Sequence, residues 1–253
     1  MASLNSVKQK VLWARENLKL LETEGQRYFA SEPGKTVFEQ EQNTGRLILK
    51  FDARTPIPTS IPFMVGDTLQ NLRSSLDYLV WELVLAANNV PTHKNMFPIC
   101  DRLEAFEGQL KRGRLNGVSA EATAEIERLQ PYSSGQLVKN NLLSTLDLFC
   151  NINKHRRVLL TTLVASQSKT EIIGSESGHS IQQTTTPRHH GAEIAVGPIP
   201  TKVGEIVEMK GKMFTSITFD EGPCKGENIG TFLQTLGYFL ETKVIPKFER
   251  FFV

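Results

Sequence analysis

Five leucines, Leu69, Leu72, Leu76, Leu79 and Leu83, recur at alternating steps of three and four residues. That spacing keeps them on one face of an α-helix and does not suit a strand, whose faces alternate every second residue. Asp67, with Gln70 three positions on, has the form of a capping box, so a helix is expected over 67–88. At roughly 100° per residue, Arg73 projects into the apolar arc, between the directions of Val80 and Val84, and Asp77 falls at its edge. A guanidinium cannot be buried unpaired at tolerable cost. Arg73 therefore has a built-in partner or a ligand to meet.

The same anomaly recurs later in the chain. A second long helix is expected over 137–160, with Leu142, Leu146, Phe149 and Leu160 as its stripe. Asn153, Arg156 and Arg157 project along that stripe, and Lys154, His155, Arg156 and Arg157 form a compact basic run. Cations there complement the negative end of the helix dipole. The two helices are expected to pack antiparallel or crossed, with their polar intruders facing each other. In that arrangement Arg73 bonds Asn153 or a backbone carbonyl, and Asp77 serves Arg156 or Arg157. The Arg-before-Asp order at i, i+4 is the weaker arrangement within one helix, which favours a partner across the interface for Asp77.

The remaining segments supply two more helices and several strands. Leu4, Val7, Val11, Ala14, Leu18 and Leu21 predict a helix over 4–30, and the pattern from Ile229 to Leu240 predicts one over 228–250. Pro246 stops or kinks that last helix. Residues 37–52 alternate as a hairpin around Asn43, Thr44 and Gly45. Short β-branched runs fill 170–219, with Gly211 as a turn, and a polar loop containing His179, His189 and His190 spans 174–192. Shorter helices are expected from Leu103 to Leu110 and, capped by Ser119, from Ala120 to about Leu129. The fold class expected is α+β: a bundle of three or four long helices with an antiparallel sheet formed by the early hairpin and the late strands. Strands drawn from both sides of the central helices tie residues 1–253 into one domain.

Composition narrows the functional classes. The formal net charge of +2 is too small to announce nucleic acid or an anionic membrane, though a local basic patch is compatible with it. No apolar run approaches the roughly 20 residues of a membrane-spanning helix. The first ten residues have no signal-peptide core, and Cys100, Cys150 and Cys224 are odd in number and widely spaced. These features favour a cytoplasmic protein with reduced thiols.

The motifs carry a resemblance. Gly66-Asp67, then Asn71-Leu72-Arg73-Ser74-Ser75-Leu76-Asp77, Leu129-Gln130-Pro131-Tyr132 and Asn151-Ile152-Asn153-Lys154-His155-Arg156 resemble a widespread family of bacterial proteins without an established activity. That family is marked by a GD-x-L-x-N-L-R-S-x-L-D helix, an L-Q-P-Y and an N-x-D-K-H-R. The likeness runs from about 37 to 160, more loosely to the end, and departs at Asn153, where the pattern has Asp. It implies a bacterial or phage-borne intracellular protein. A looser likeness, through Leu72 to Asp77, is to the HEPN superfamily of helical bundles, many of which cleave RNA. The HEPN nuclease signature places Arg ahead of His with four to six residues between them. Positions 148–150 ahead of His155 are Leu148, Phe149 and Cys150, so the signature is missing.

Phosphate-binding glycine loops and the Gly-x-Ser-x-Gly elbow are also missing. The histidines of the 174–192 loop lack a ligand spacing, so neither metal nor cofactor is expected. The reading that follows is a non-enzymatic interaction or ligand-binding protein with an ionic cluster of Arg73, Asp77, Asn153, Lys154, His155, Arg156 and Arg157. An anion or RNA at the basic run and a second copy of the chain are the candidate partners. The alternative is a HEPN-like ribonuclease or defence effector with an atypical site at His155.

Overall fold

The computed structural model describes residues 2–40, 46–134, 141–158, 160–166, 171–173, 193–198, 208–210 and 213–252. Helices dominate and form a bundle. In chain order they are α1 (Asn5–Ala30), α2 (Ser60–Ala86), α3 (Leu103–Lys111), α4 (Ala120–Arg128), α5 (Leu142–His155) and α6 (Ile229–Phe239). Strand segments are β1 (Gly34–Gln40), β2 (Arg46–Ala53), β3 (Leu160–Ser166), β4 (Glu171–Ile173), β5 (Glu193–Pro198), β6 (Glu208–Lys210) and β7 (Met213–Phe219). Their backbones run in antiparallel ladders of order β1-β2-β5, β3-β7 and β4-β6. The expected turns at 43–45 and 211, the 174–192 loop with its three histidines, and residues 137–140 lie outside the described residues.

The leucine stripe of α2 is buried throughout, at 2% exposure or less. It packs on Val7, Val11, Ala14, Leu18 and Leu21 of α1 and on Leu233, Leu236 and Leu240 from the C-terminal segment. Helices α1 and α2 run antiparallel, as three contacts show. Ser3 and Ser6 meet Glu82, Lys10 meets Asn71, and Glu24 meets Ser60. Phe149, Phe219 and Phe232 form a ring cluster with centroids 4.6–6.0 Å apart, fastening α5, β7 and α6 together.

Three helix boundaries correct the sequence reading. Helix α2 begins at Ser60, seven residues before the expected cap, so Asp67 lies inside the helix and caps nothing. Pro62 sits in its first turn, where a missing N–H breaks no helical bond, and buried Ile61 and Val65 extend the stripe. Helix α5 begins at Leu142, where the Asn141 side chain accepts the Leu143 and Ser144 N–H groups. It stops at His155, because Arg156 is extended (φ −161°, ψ 166°) and the chain goes on into β-branched strand residues. The C-terminal helix stays α-helical only to Phe239. Leu240–Val244 then widens into a π turn and Ile245–Phe251 tightens into a 3-10 turn, since Pro246 can neither donate to nor fit against the preceding turn. Ser119 caps α4 as its position predicts, accepting the Ala122 N–H. Among the described residues no helix is long and apolar enough to cross a membrane.

Candidate functional site

Arg73 is 8% exposed, and each arm of its guanidinium is engaged. Nη1 donates to Asp77 Oδ1 at 2.8 Å, and Nη2 donates to the Phe97 carbonyl at 2.8 Å. Nε lies 3.7 Å from Asp147 Oδ1 on α5. Asp77 Oδ1 also accepts the Phe97 N–H at 2.9 Å, so the pair grips both polar groups of one residue. Gln130, fully buried, extends the grip. Its Oε1 accepts the Cys100 N–H at 2.9 Å, and its Nε2 donates to Pro98 and Ile126 carbonyls. Residues 97–100 thus form a strap on the helices. The Phe97 N–H and carbonyl, the Pro98 carbonyl and the Cys100 N–H are each met by a side chain, and among the described residues no strand pairs with this segment. Burial pushes the Asp77 carboxyl above the usual range, against the opposing pull of Arg73 and the Phe97 N–H.

Helices α2 and α5 pack antiparallel through Gly66 with Asn153, Leu69 with Cys150 and Arg73 with Asp147. A Cβ on Gly66 would stand 2.3 Å from Asn153 Oδ1, so glycine is what admits the amide. The pairing within this interface differs from the expected one. Asn153 rests on Gly66 instead of bonding Arg73, while Arg73 takes Asp77 and a backbone carbonyl. Arg156 forms a two-pronged pair with Glu221, with Nη1 at 2.9 Å from Oε1, and does not reach Asp77. Lys154, His155 and Arg157 are exposed at the end of α5, with Lys154 Nζ 3.4 Å from Asn151 Oδ1. The seven expected residues therefore divide into a buried arginine with its half-buried partner (Arg73, Asp77), an interhelical contact (Asn153) and an exposed basic end (Lys154, His155, Arg156, Arg157).

Asp147 and the strap escaped the sequence reading, and Gln130 entered it only as part of the L-Q-P-Y likeness. For Asp147 a signal existed: stepping back by threes from Asn153 gives Cys150 and then Asp147 on the same face. The strap had none, because 97–100 has no helical or strand period.

Beside the clamp, on the outer side of α1 and α2, a cavity of roughly 450 Å³ is lined by Ser6, Asp77, Tyr78, Trp81, Glu82 and Asn95. Glu82 Oε1 accepts the Ser6 hydroxyl and Oε2 accepts the Ser3 N–H. Tyr78 and Trp81, one helical step of three apart, are each more than 40% exposed. Asn95 is held by bonds to the Arg114 and Asn116 carbonyls and from the Thr92 N–H. Among the described residues no group of three or more His, Cys, Asp or Glu side chains is placed to hold a metal ion. Compared with protein-family models, with curated proteins and with solved structures, the chain matches none of them.

Proposed function

We propose that this chain is a single α+β domain acting as a non-enzymatic ligand-binding protein. In this reading the ionic cluster of α2 serves as scaffold and the cavity beside it serves as the site. The β2–β5 pairing supports one antiparallel sheet joining the early hairpin to the late strands across the helical bundle. The observation that carries the functional reading is the shared position of Asp77. Its Oδ1 holds the strap through Phe97, while the same side chain lines the cavity with Tyr78, Trp81 and Glu82. A cavity of this size, with two half-exposed rings and a few fixed polar groups, has the usual dimensions of a small-molecule site. Arg73, by contrast, directs its two hydrogen bonds to Asp77 and the Phe97 carbonyl, and it does not line the cavity.

The chain has two tryptophans, Trp13 and Trp81. In a Trp13→Phe variant, Trp81 emission reports on the cavity alone. A panel of small cations, neutral molecules and anions should contain a compound that shifts this emission saturably and raises the melting temperature. Silence across the panel would sink the reading. Degradation of mixed RNAs, lost in His155→Ala, would instead establish the ribonuclease.

A further inference from the structure

We propose that the cavity lined by Trp81, Tyr78 and Glu82 takes a small organic cation, an alkylammonium or guanidinium, seated on the Trp81 indole beside the Glu82 carboxylate. This rests on the ligand-binding reading above and adds the class of ligand. Three observations carry it. First, the lining has two carboxylates, Asp77 and Glu82, and no lysine or arginine. Asp77 is already matched by Arg73, but both donors to Glu82 are neutral, a backbone N–H and a hydroxyl. Among the described residues no cation pairs with Glu82, whose carboxylate meets only neutral donors there.

Second, the chain itself uses one of these rings as a seat for a cation. Lys10 Nζ lies 5.3 Å from the centroid of Tyr78 while bonding Asn71 Oδ1. Third, Trp81 is the better cation-binding ring of the two, since indole attracts cations more strongly than phenol. Among the described residues no lysine or arginine lies over it. The strongest cation-attracting ring and this carboxylate thus line the same cavity, one residue apart on α2. An anion would meet two carboxylates there. A neutral molecule would leave Glu82 with neutral donors only.

The test uses the Trp13→Phe protein at constant ionic strength, titrated with choline, with methylguanidinium and with the neutral isostere of choline in which carbon replaces nitrogen. Emission of Trp81 and calorimetry are read in parallel. Choline or methylguanidinium should bind saturably, and the neutral isostere at least about 10-fold more weakly, as expected for a desolvated cation on an aromatic face. Glu82→Gln should weaken the cation about 10-fold and leave the neutral isostere unchanged. Trp81→Leu, read by calorimetry, should abolish cation binding without lowering the melting temperature by more than a few degrees, because the ring is half exposed. Equal binding of cation and isostere, or undiminished binding by Trp81→Leu, would overturn the proposal. A response to the neutral isostere alone, or only to neutral or anionic members of the panel above, would overturn the ligand class and leave the ligand-binding reading standing. Silence to these three compounds would overturn the proposal, and silence across the whole panel would overturn the ligand-binding reading as well.

Discussion

The Asn153 side chain lies directly on the backbone of Gly66, with every atom of its amide within 2.7 Å of where a Cβ would be. Elsewhere in a helix, replacing glycine by alanine gains about 1 kcal/mol through backbone entropy. Here the amide must swing away first. Gly66→Ala alone should therefore gain less than that, because moving the Asn153 amide, the far end of a flexible side chain, offsets part of the backbone gain. In an Asn153→Ala background the same change should stabilise by about 1 kcal/mol. Chemical denaturation of the four proteins checks this coupling, and equal effects of Gly66→Ala in the two backgrounds would refute it.

The strap clamp makes a graded prediction. Arg73→Ala removes a buried cation from Asp77, Asp147 and the Phe97 carbonyl, and should cost about 3–5 kcal/mol. Asp77→Ala should cost less, about 1–3 kcal/mol, since its side chain is 31% exposed and Arg73 keeps the carbonyl. Gln130→Ala should add about 1–3 kcal/mol for each backbone group it orphans. Glu16→Ala, whose ion pair with Lys19 is exposed, should stay within about 0.5 kcal/mol. Near-wild-type melts for both Arg73→Ala and Asp77→Ala would remove the structural role of the cluster.

Asp77 should also leave a signature in acid. Its pKa in the folded state is raised, chiefly by burial, so the folded protein takes up this proton more readily than the unfolded chain. Wild type should then lose stability relative to Asp77→Asn as pH rises from about 3.8 through the raised value. Melting curves of both proteins at closely spaced acid pH measure the slope. A difference that grows with pH would contradict it.

Glu125 should behave in the opposite sense. Burial alone would raise its pKa, but hydrogen bonds from Lys247 and Arg128 overcome this and hold the carboxyl below its usual range. Its contribution is present above the unfolded value near 4.5 and lost as pH falls through the lowered one. Glu125→Gln should remove that part of the acid sensitivity and loosen the C-terminal turn, since Lys247 and Arg250 both reach this carboxylate. Hydrogen exchange at Lys247 and Arg250 reads the loosening.

The three cysteines should be inert thiols. All are buried and free, and burial raises each pKa, to about 12 for Cys150 and Cys224. Thiolate is the reacting form, so alkylation at neutral pH should be slow in the native protein and complete after unfolding. Native mass spectrometry should find no two-dalton deficit.

Much of the helical framework was legible because it rests on local periodicity. The stripe of α2 (Leu69, Leu72, Leu76, Leu79 and Leu83) and that of α1 (Val7, Val11, Ala14, Leu18 and Leu21) repeat at the helical spacing whatever surrounds them, and they are buried as that spacing requires, as are Ile229, Phe232, Leu233 and Leu236 of α6. The Ser119 cap was legible for the same reason, since a cap is a contact between neighbours in sequence. That Arg73 needs a partner was also decided by sequence, from its place in an apolar arc. Which partner it takes was not. Asp77 is four residues away, but the Phe97 carbonyl lies 24 positions on and Asp147 comes from another helix. Those choices depend on where the strap and α5 come to rest, and no periodic pattern encodes that. Glu221 likewise drew Arg156 away from Asp77 across 65 positions. The start of α2 at Ser60 was hidden because Pro62 reads as a breaker until the first turn is placed around it. The cavity at Trp81 and Glu82 belongs wholly to tertiary structure, since it exists only where α1, α2 and the Asn95 segment converge.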